Sequence, residues 1–243
     1  MELFVAGWSA HVRVGKTQSD AEARAAMKVL ILYNDVQSVE KGEAKDLASA
    51  QGVAIAARAV EDALRPDHEV VCVPVPFDPS EVLAGYDAGE WVAFNLLEGL
   101  GNRADLEPEA AAILERLGYR HTGSPPESMA LCLNKARTKR LLASLGIPTP
   151  SYQLCEDAEV QFSVPLPAIV KPVAEDASLG IDEGAVVTTA EELRRRVQYV
   201  VRTYRQPALV EEFIEGREFN VALWGNGAVE CLPLAEIDYS GIG

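Results

Sequence analysis

The sequence predicts two successive units, an open α/β domain followed by an α+β unit. Three observations predict this. Short continuous apolar runs at Lys28–Tyr33, Glu69–Val75 and Trp91–Leu97 alternate with helical patterns, as a parallel sheet with right-handed crossovers requires. A breaker cluster, Thr122-Gly123-Ser124-Pro125-Pro126, interrupts that alternation. Beyond it come short helices, short strands and a hairpin signal at Gly225-Asn226-Gly227, where Asn-Gly suits a tight primed turn.

Lys28–Tyr33 (KVLILY) is apolar at successive positions, the pattern of a strand buried on both faces. From about Asp46 to Arg65, Val53, Ala56, Ala57, Val60 and Leu64 recur at helical spacing. Glu69–Val75 is a second strand, ended by Pro74 and Pro76. Asp78-Pro79 joins an N-cap to a proline at the first helical position. Trp91–Leu97 is a third strand, and Glu107–Leu117 a helix closed by Gly118 at C′. After the breaker, helices are expected near 127–133 and 135–145, the second stopped by Gly146 and Pro148. Strands follow near 151–155 and at Ala168–Lys171, then a loop through Gly180 and a strand at Ala185–Thr188. Thr189-Ala190-Glu191-Glu192 has capping-box spacing and opens a helix to about Tyr204. Ala208–Phe213 is a strand, and Glu218–Trp224 with Ala228–Ile237 forms the hairpin.

Residues 1–26 stand apart. Glu2 precedes the apolar stretch Leu3–Trp8, so the positive start of a signal peptide is missing. Gly15-Lys16-Thr17 resembles the end of a phosphate-binding P-loop, but Ala10 stands where that loop needs glycine. We read this segment as an N-terminal extension, with disorder and a misplaced start codon both left open.

Charge narrows the function classes. With 22 Lys and Arg against 37 Asp and Glu, the formal charge is −15. Such a surface repels nucleic-acid backbones and anionic membranes, whose binding depends on basic side chains; no apolar run is long enough to span a bilayer. A local basic pocket for a small phosphorylated ligand remains open. Cys72, Cys132, Cys155 and Cys231 are widely spaced, without a CxxC, and read as free thiols in a reducing compartment.

Within this acidic chain, a few stretches carry chemistry. Lys171 ends the run Ile169-Val170-Lys171-Pro172 just before a loop, where an ammonium can meet a phosphate; the alternative is a solvated strand-end lysine. Residues 173–181 read V-A-E-D-A-S-L-G-I, and the small Ala177, Ser178 and Gly180 let backbone N–H groups approach an anion. Glu175 and Asp176 oppose a bare anion unless they turn away or meet a cation. In Leu209–Phe219, Glu211 and Glu212 precede the apolar pair Phe213-Ile214, then Glu218: an apolar slot with carboxylates fits an adenine and a ribose. An acidic solvated hairpin explains the charges but not the apolar pair. Lys135-Ala136-Arg137-Thr138-Lys139-Arg140 is either the local positive charge a triphosphate needs or a solvated helix face.

Taken in order, these pieces resemble the D-alanine–D-alanine ligase branch of the ATP-grasp superfamily. The matching stretches are Phe94–Gly99, Tyr119–Ser124, Asn134–Lys139, Gly146–Pro150, Ile169–Pro172 and Leu209–Phe219. The resemblance implies a pre-ATP-grasp α/β domain over 27–125, a central ATP-grasp subdomain over 126–216, and the start of the C-terminal ATP-grasp subdomain over 217–243. It implies ATP as cofactor, with Lys135 and Lys171 on the phosphates and the loop Glu175–Gly180 closing over them, Ser178 donating. It implies an adenine hinge from Glu211 and the backbone of Glu212, Phe213 and Ile214, and a ribose contact from Glu218. The implied activity is a cytoplasmic ATP-dependent carboxylate–amine ligation through an acyl phosphate, of the cell-wall peptidoglycan type, on small amino-acid-like substrates, in a chain that can form homodimers.

The departures fall on the substrate side. Glu98-Gly99 stands where the family has His-Gly, Ala177 replaces a lid serine, and Tyr33-Asn34-Asp35 replaces a glycine-rich turn. Glu40, Glu43 and Glu98 are the candidates for holding the substrate. The family's Mg²⁺ ligands, an Asp and a later Glu-x-Asn, are expected beyond residue 243, as is the arginine at the transferring phosphoryl group, so the 243-residue chain alone is expected to be inactive. Two other readings stand beside the ligase: a non-catalytic ATP-binding module, and an ATP-grasp ligase for other small acids and amines.

Overall fold

A computed structural model describes residues 3–5, 8–10, 26–34, 46–101, 103–176, 178–225 and 227–240. The chain opens on a small antiparallel hairpin, β1 (Leu3–Val5) with β2 (Trp8–Ala10). The first large sheet then forms from β3 (Lys28–Asn34), β4 (Glu69–Val75), β5 (Trp91–Leu96) and β6 (Arg120–His121), all parallel, in the order β4-β3-β5-β6. Its connections carry α1 (Asp46–Leu64), α2 (Pro79–Leu83) and α3 (Glu107–Arg116).

The continuous apolar run of β3 is explained by helices on both sheet faces. Leu30 and Leu32 pack with Leu83, Ala110, Ile113 and Leu114 of α2 and α3. Val29 and Ile31 point the other way, toward Ala57, Val60 and Leu64 of α1. A strand's period of two divides its side chains between these layers. The Asp78 cap is present, its carboxylate accepting from Ser80 N at 2.8 Å. Sequence patterning missed β6, which is two residues long and pairs only through Val92↔Arg120 and Ala93↔His121.

The second half begins with α4 (Pro126–Leu133) and α5 (Lys135–Ser144). A separate, antiparallel sheet follows in the order β7-β10-β8-β9, made of β7 (Tyr152–Cys155), β8 (Ala168–Pro172), β9 (Val186–Val187) and β10 (Ala208–Glu212). Helix α6 (Ala190–Tyr204) covers one face, burying Leu193, Val197 and Val200 against Val170, Val187 and Val210. On the other face, Ala136 of α5 meets Leu209 and Val173. The capping box of α6 is complete: Glu192 N donates to Thr189 Oγ1 at 3.2 Å, and Glu192 Oε2 accepts from Thr189 N at 3.0 Å.

The expected final hairpin is one ladder broken in two. β11 (Glu218–Asn220) pairs with β14 (Ala235–Ile237), and β12 (Leu223–Trp224) with β13 (Glu230–Cys231). Between Asn220↔Ala235 and Leu223↔Cys231 the second arm carries one extra residue, a bulge that contains Pro233. Proline has no N–H for the ladder, so a bulge is where it can sit. The innermost pair is Trp224↔Glu230, which leaves a longer connection than a two-residue turn. Leu223, Val229 and Leu234 are exposed along these arms. Among the described residues no helix is long and apolar enough to cross a membrane. All four cysteines are free thiols, and desolvation pushes Cys72 and Cys155 up to about 11.

Candidate nucleotide site

The site is assembled on the α5 face of the second sheet. Strand periodicity puts Leu209 and Glu211 of β10 on that face, while Val210 faces α6. Lys171 of β8 stands opposite Leu209 in the register, so it shares the face. Helix α5 is capped by Asn134, whose side chain accepts from Arg137 N at 3.0 Å. From that start, Lys135 and Lys139 fall one helical turn apart on one side.

At the centre is an ion-paired group. Glu211 is 7 % exposed and accepts Lys139 Nζ on one carboxylate oxygen and Lys171 Nζ on the other. Lys139 also donates to Thr149 Oγ1 at 2.6 Å and sits 5.0 Å from the centroid of the Tyr152 ring. Burial alone would raise the Glu211 carboxyl. The hydrogen bonds and charges of Lys139 and Lys171 overcome it and hold the group below the usual carboxylate range. Sequence reasoning placed Lys171 and Glu211 among the site residues but not Lys139. The signal that could have found it is its helical spacing from Lys135.

The loop after β8 is fastened beside this group. Lys135 Nζ donates to the Glu175 carbonyl, and Lys135 N donates to Val173 O at 3.0 Å. Desolvation lowers the Lys135 ammonium from its ordinary value, against the raising charges of Asp176, Glu175 and Glu211. The side chain of Glu175 is turned inward, accepting from Gln206 Nε2 at 2.6 Å. Ser178 is exposed with φ 60, and Gly180 has φ 76. A Cβ on Gly180 would lie 2.6 Å from Pro172 Cγ, so only glycine lets the loop return onto β8.

At the end of β10, Glu212 N donates to Ser151 O at 2.9 Å and its carboxylate accepts from Ser151 Oγ at 3.0 Å. Phe213 N donates to Pro167 O at 3.0 Å, and the Phe213 and Ile214 side chains are exposed. Glu218 is on the hairpin, where Tyr239 Oη donates to it at 2.8 Å. Lys135, Lys171, Glu175 and Glu211 thus form one cluster, with Glu212, Phe213 and Ile214 continuing its strand.

On the first sheet, Asn34 at the end of β3 fixes the turn after β5. Glu98 N donates to Asn34 Oδ1 at 2.7 Å, and Asn34 Nδ2 donates to Gly99 O at 3.2 Å. The turn faces the loop of the second half electrostatically. Desolvation first, then the Asp176 charge, push the Glu98 carboxyl up. Glu107 at the start of α3, a residue sequence reading passed over, is raised to about 7 by desolvation and by the charges of Asp176 and Glu98. Glu40, Glu43 and Ala177 lie outside the described residues.

The donor set suits a polyphosphate: two lysine ammonium groups beside a loop whose carboxylate Glu175 is turned inward, in a chain of charge −15. A divalent metal is another matter. Among the described residues no group of three or more His, Cys, Asp or Glu side chains could hold one, and we assign it no ligand here.

Comparison with known proteins agrees with this layout. Residues 141–242 match the family described as D-ala D-ala ligase C-terminus. The D-alanine–D-alanine ligase of Desulforamulus reducens is 31% identical over 183 residues, which is 70% of this chain and 55% of that protein. Among solved structures, the Bacillus anthracis D-alanine–D-alanine ligase complexed with ATP aligns with a TM-score of 0.65 at 20% identity, over 88% of this chain and 67% of that one. The Helicobacter pylori D-alanine–D-alanine ligase aligns with a TM-score of 0.64 at 21% identity, over 88% and 76%. The chain spans about half the length of the curated relatives it matches.

A parallel α/β sheet followed by a helix-covered antiparallel sheet is the layout that these solved structures share with the chain. In sequence, too, the chain is similar to D-alanine–D-alanine ligases.

Proposed function

We propose that the chain supplies the ATP-binding part of a carboxylate–amine ligase, acting on a small amino-acid-like acid and amine of the kind used in peptidoglycan peptides. The observation that carries the reading is the concentration of Lys135, Lys139 and Lys171 around Glu211 beside the loop 173–181, in an otherwise acidic protein. Bound ATP supplies the phosphoryl group that turns a carboxylate into an acyl phosphate, open to attack by an amine. Mg²⁺ joins the reading by resemblance alone, and no step is derived through it.

The chain's own residues have separable tasks in this reading. Lys171 and Lys135 offset phosphate charge, which is most of what phosphoryl transfer asks of a protein. Glu211 aims Lys171, and Lys139 keeps Glu211 ionised and in place. The Ser178 hydroxyl donates from the loop, while Phe213 and Ile214 give apolar surface for an adenine with the adjoining backbone at its edge. Glu218 is an acceptor for ribose hydroxyls, and Glu98 faces the substrate. Titration calorimetry of the 243-residue chain with ATP and with adenosine tests the reading. Saturable ATP binding that weakens in Lys171→Ala is expected, and no ATP binding by the wild-type chain would remove it.

A further inference from the structure

The loop that runs from β8 to β9 is held at two roots. Its near root is tied by Lys135 to the Glu175 carbonyl, and by Gln206, whose side chain accepts from Ala174 N at 2.6 Å. Its far root is tied by one side chain of α6. Arg196 Nη2 donates to Gly180 O at 2.7 Å, and Arg196 Nη1 pairs with Asp182 Oδ1 at 2.8 Å. Asp182 in turn organises the turn into β9: Gly184 N donates to its carboxylate at 2.9 Å, and Ala185 N to its carbonyl at 2.8 Å. Ala185 O then accepts from Val170 N at 2.8 Å, so the root is stitched onto β8 one residue from Lys171.

The guanidinium is built in. Its side chain is 10% exposed and lies 4.5 Å from the centroid of the Tyr199 ring. Its Nε is buried with no hydrogen-bond partner among the described residues. A buried donor left unmet is a cost to the fold, so stability is a weak reason for an arginine here. What it supplies is a planar fork that grips a carbonyl and a carboxylate of the same loop together.

We propose that Arg196 is a positioning residue for the nucleotide loop: it pins the far root at Gly180 and Asp182, and so holds that root beside the phosphate lysine Lys171. The second half of this statement rests on the nucleotide reading above; the first half does not. Gly180 shapes this root, since its left-handed conformation and its closeness to Pro172 let the chain turn back onto β8.

Amide hydrogen exchange and nucleotide titration on the full chain separate the two halves. In Arg196→Met, which keeps an unbranched side chain on Tyr199, the amides of Ile181, Gly184 and Ala185 are expected to exchange at least about 10-fold faster. Val210 and Glu211, in the central β10 ladder, should be unchanged and report that the fold is intact. ATP should bind about 10-fold more weakly while adenosine binds as before. Arg196→Lys, which keeps the charge opposite Asp182 but not the fork, should fall between. Unchanged exchange at Ile181, Gly184 and Ala185 in Arg196→Met overturns the clamp. Equal weakening of ATP and adenosine overturns its link to phosphate and leaves a general structural role. If the wild-type chain binds no ATP, the nucleotide reading is what fails, and the exchange result still decides the clamp.

Discussion

Lys139, on a helix, and Glu211, on a strand 72 residues later, form a buried ion pair at the floor of the candidate site. Their side chains are 6% and 9% exposed. Removing one partner of such a pair leaves an uncompensated buried charge, at a cost of about 3–5 kcal/mol. Lys139→Ala should therefore lose about 3 kcal/mol in urea denaturation, somewhat below the upper figure because Lys171 still serves Glu211. The double variant Lys139→Ala/Glu211→Ala should lose clearly less than the sum of the single losses. Additive losses would mean the pair is not coupled.

Lys171 is the phosphate lysine of the proposed site. Losing one charge-assisted contact weakens binding by about 1.5–3 kcal/mol, roughly 10- to 150-fold. Lys171→Ala should show that loss for ATP in calorimetry, with adenosine little affected. An ATP affinity equal to wild type would take Lys171 out of the site.

Glu107 gives the fold a pH dependence. Its carboxyl is raised to about 7 from an ordinary 4.5, by desolvation and by Asp176 and Glu98. Between those values the folded chain holds a proton that the unfolded chain has lost, so this group's contribution falls as pH rises through the window. Above about 7 the cost is fully present; below 4.5 it vanishes. Because the side chain is only half buried, solvent screening reduces the effect to about 1 kcal/mol. Glu107→Gln should flatten the thermal-stability profile between pH 5 and 7.5 and stabilise the chain at pH 8, measured by calorimetry. A profile as steep as wild type would assign the dependence elsewhere.

Gly180→Ala puts a methyl 2.6 Å from Pro172 Cγ in a backbone with φ 76. Strain of this kind costs about 1–3 kcal/mol. We expect a loss of ATP affinity larger than the loss of thermal stability, because the loop can shift away from β8 while the sheet stays intact. The reverse order would show that the loop is part of the folding core.

The last prediction concerns turnover. We expect the 243-residue chain, given ATP, Mg²⁺ and D-alanine, to release no phosphate above a Lys171→Ala control. The reason is that among the described residues no group of three or more His, Cys, Asp or Glu side chains could hold a metal, and Mg²⁺ normally needs one or two carboxylates besides the phosphates. Release above that control in a coupled assay would sink this expectation.

How much of this was legible follows from what each residue's neighbours are. β3, β4 and β5 were readable because strands buried on two faces must be apolar at successive positions, and α6 because Thr189 and Glu192 form its cap locally. β6 was not, since two residues carry no period. Lys139 looked like one basic residue among several on α5; its meaning comes from Glu211, which only the fold brings near. Arg196 was hidden in the same way within Arg194-Arg195-Arg196, a run that reads as a solvated face until the loop arrives at it. The hairpin was foreseen, but its break at Pro233 was not, because a bulge depends on which residues of the opposite arm need a donor.

The register of β8 against β10 has a consequence for how the sheet assembles. Lys171 and Glu211 share the α5 face only because Leu209 stands opposite Lys171. A slip of one residue turns every side chain of the moving strand to the other face. In a slipped sheet one of the two charges would be driven among Val197, Val200 and Leu193 beneath α6, with its counter-charge on the far side. The ion pair of the candidate site thus also ties the register to electrostatics: the native pairing of β8 with β10 is the one that leaves neither charge stranded in the apolar layer.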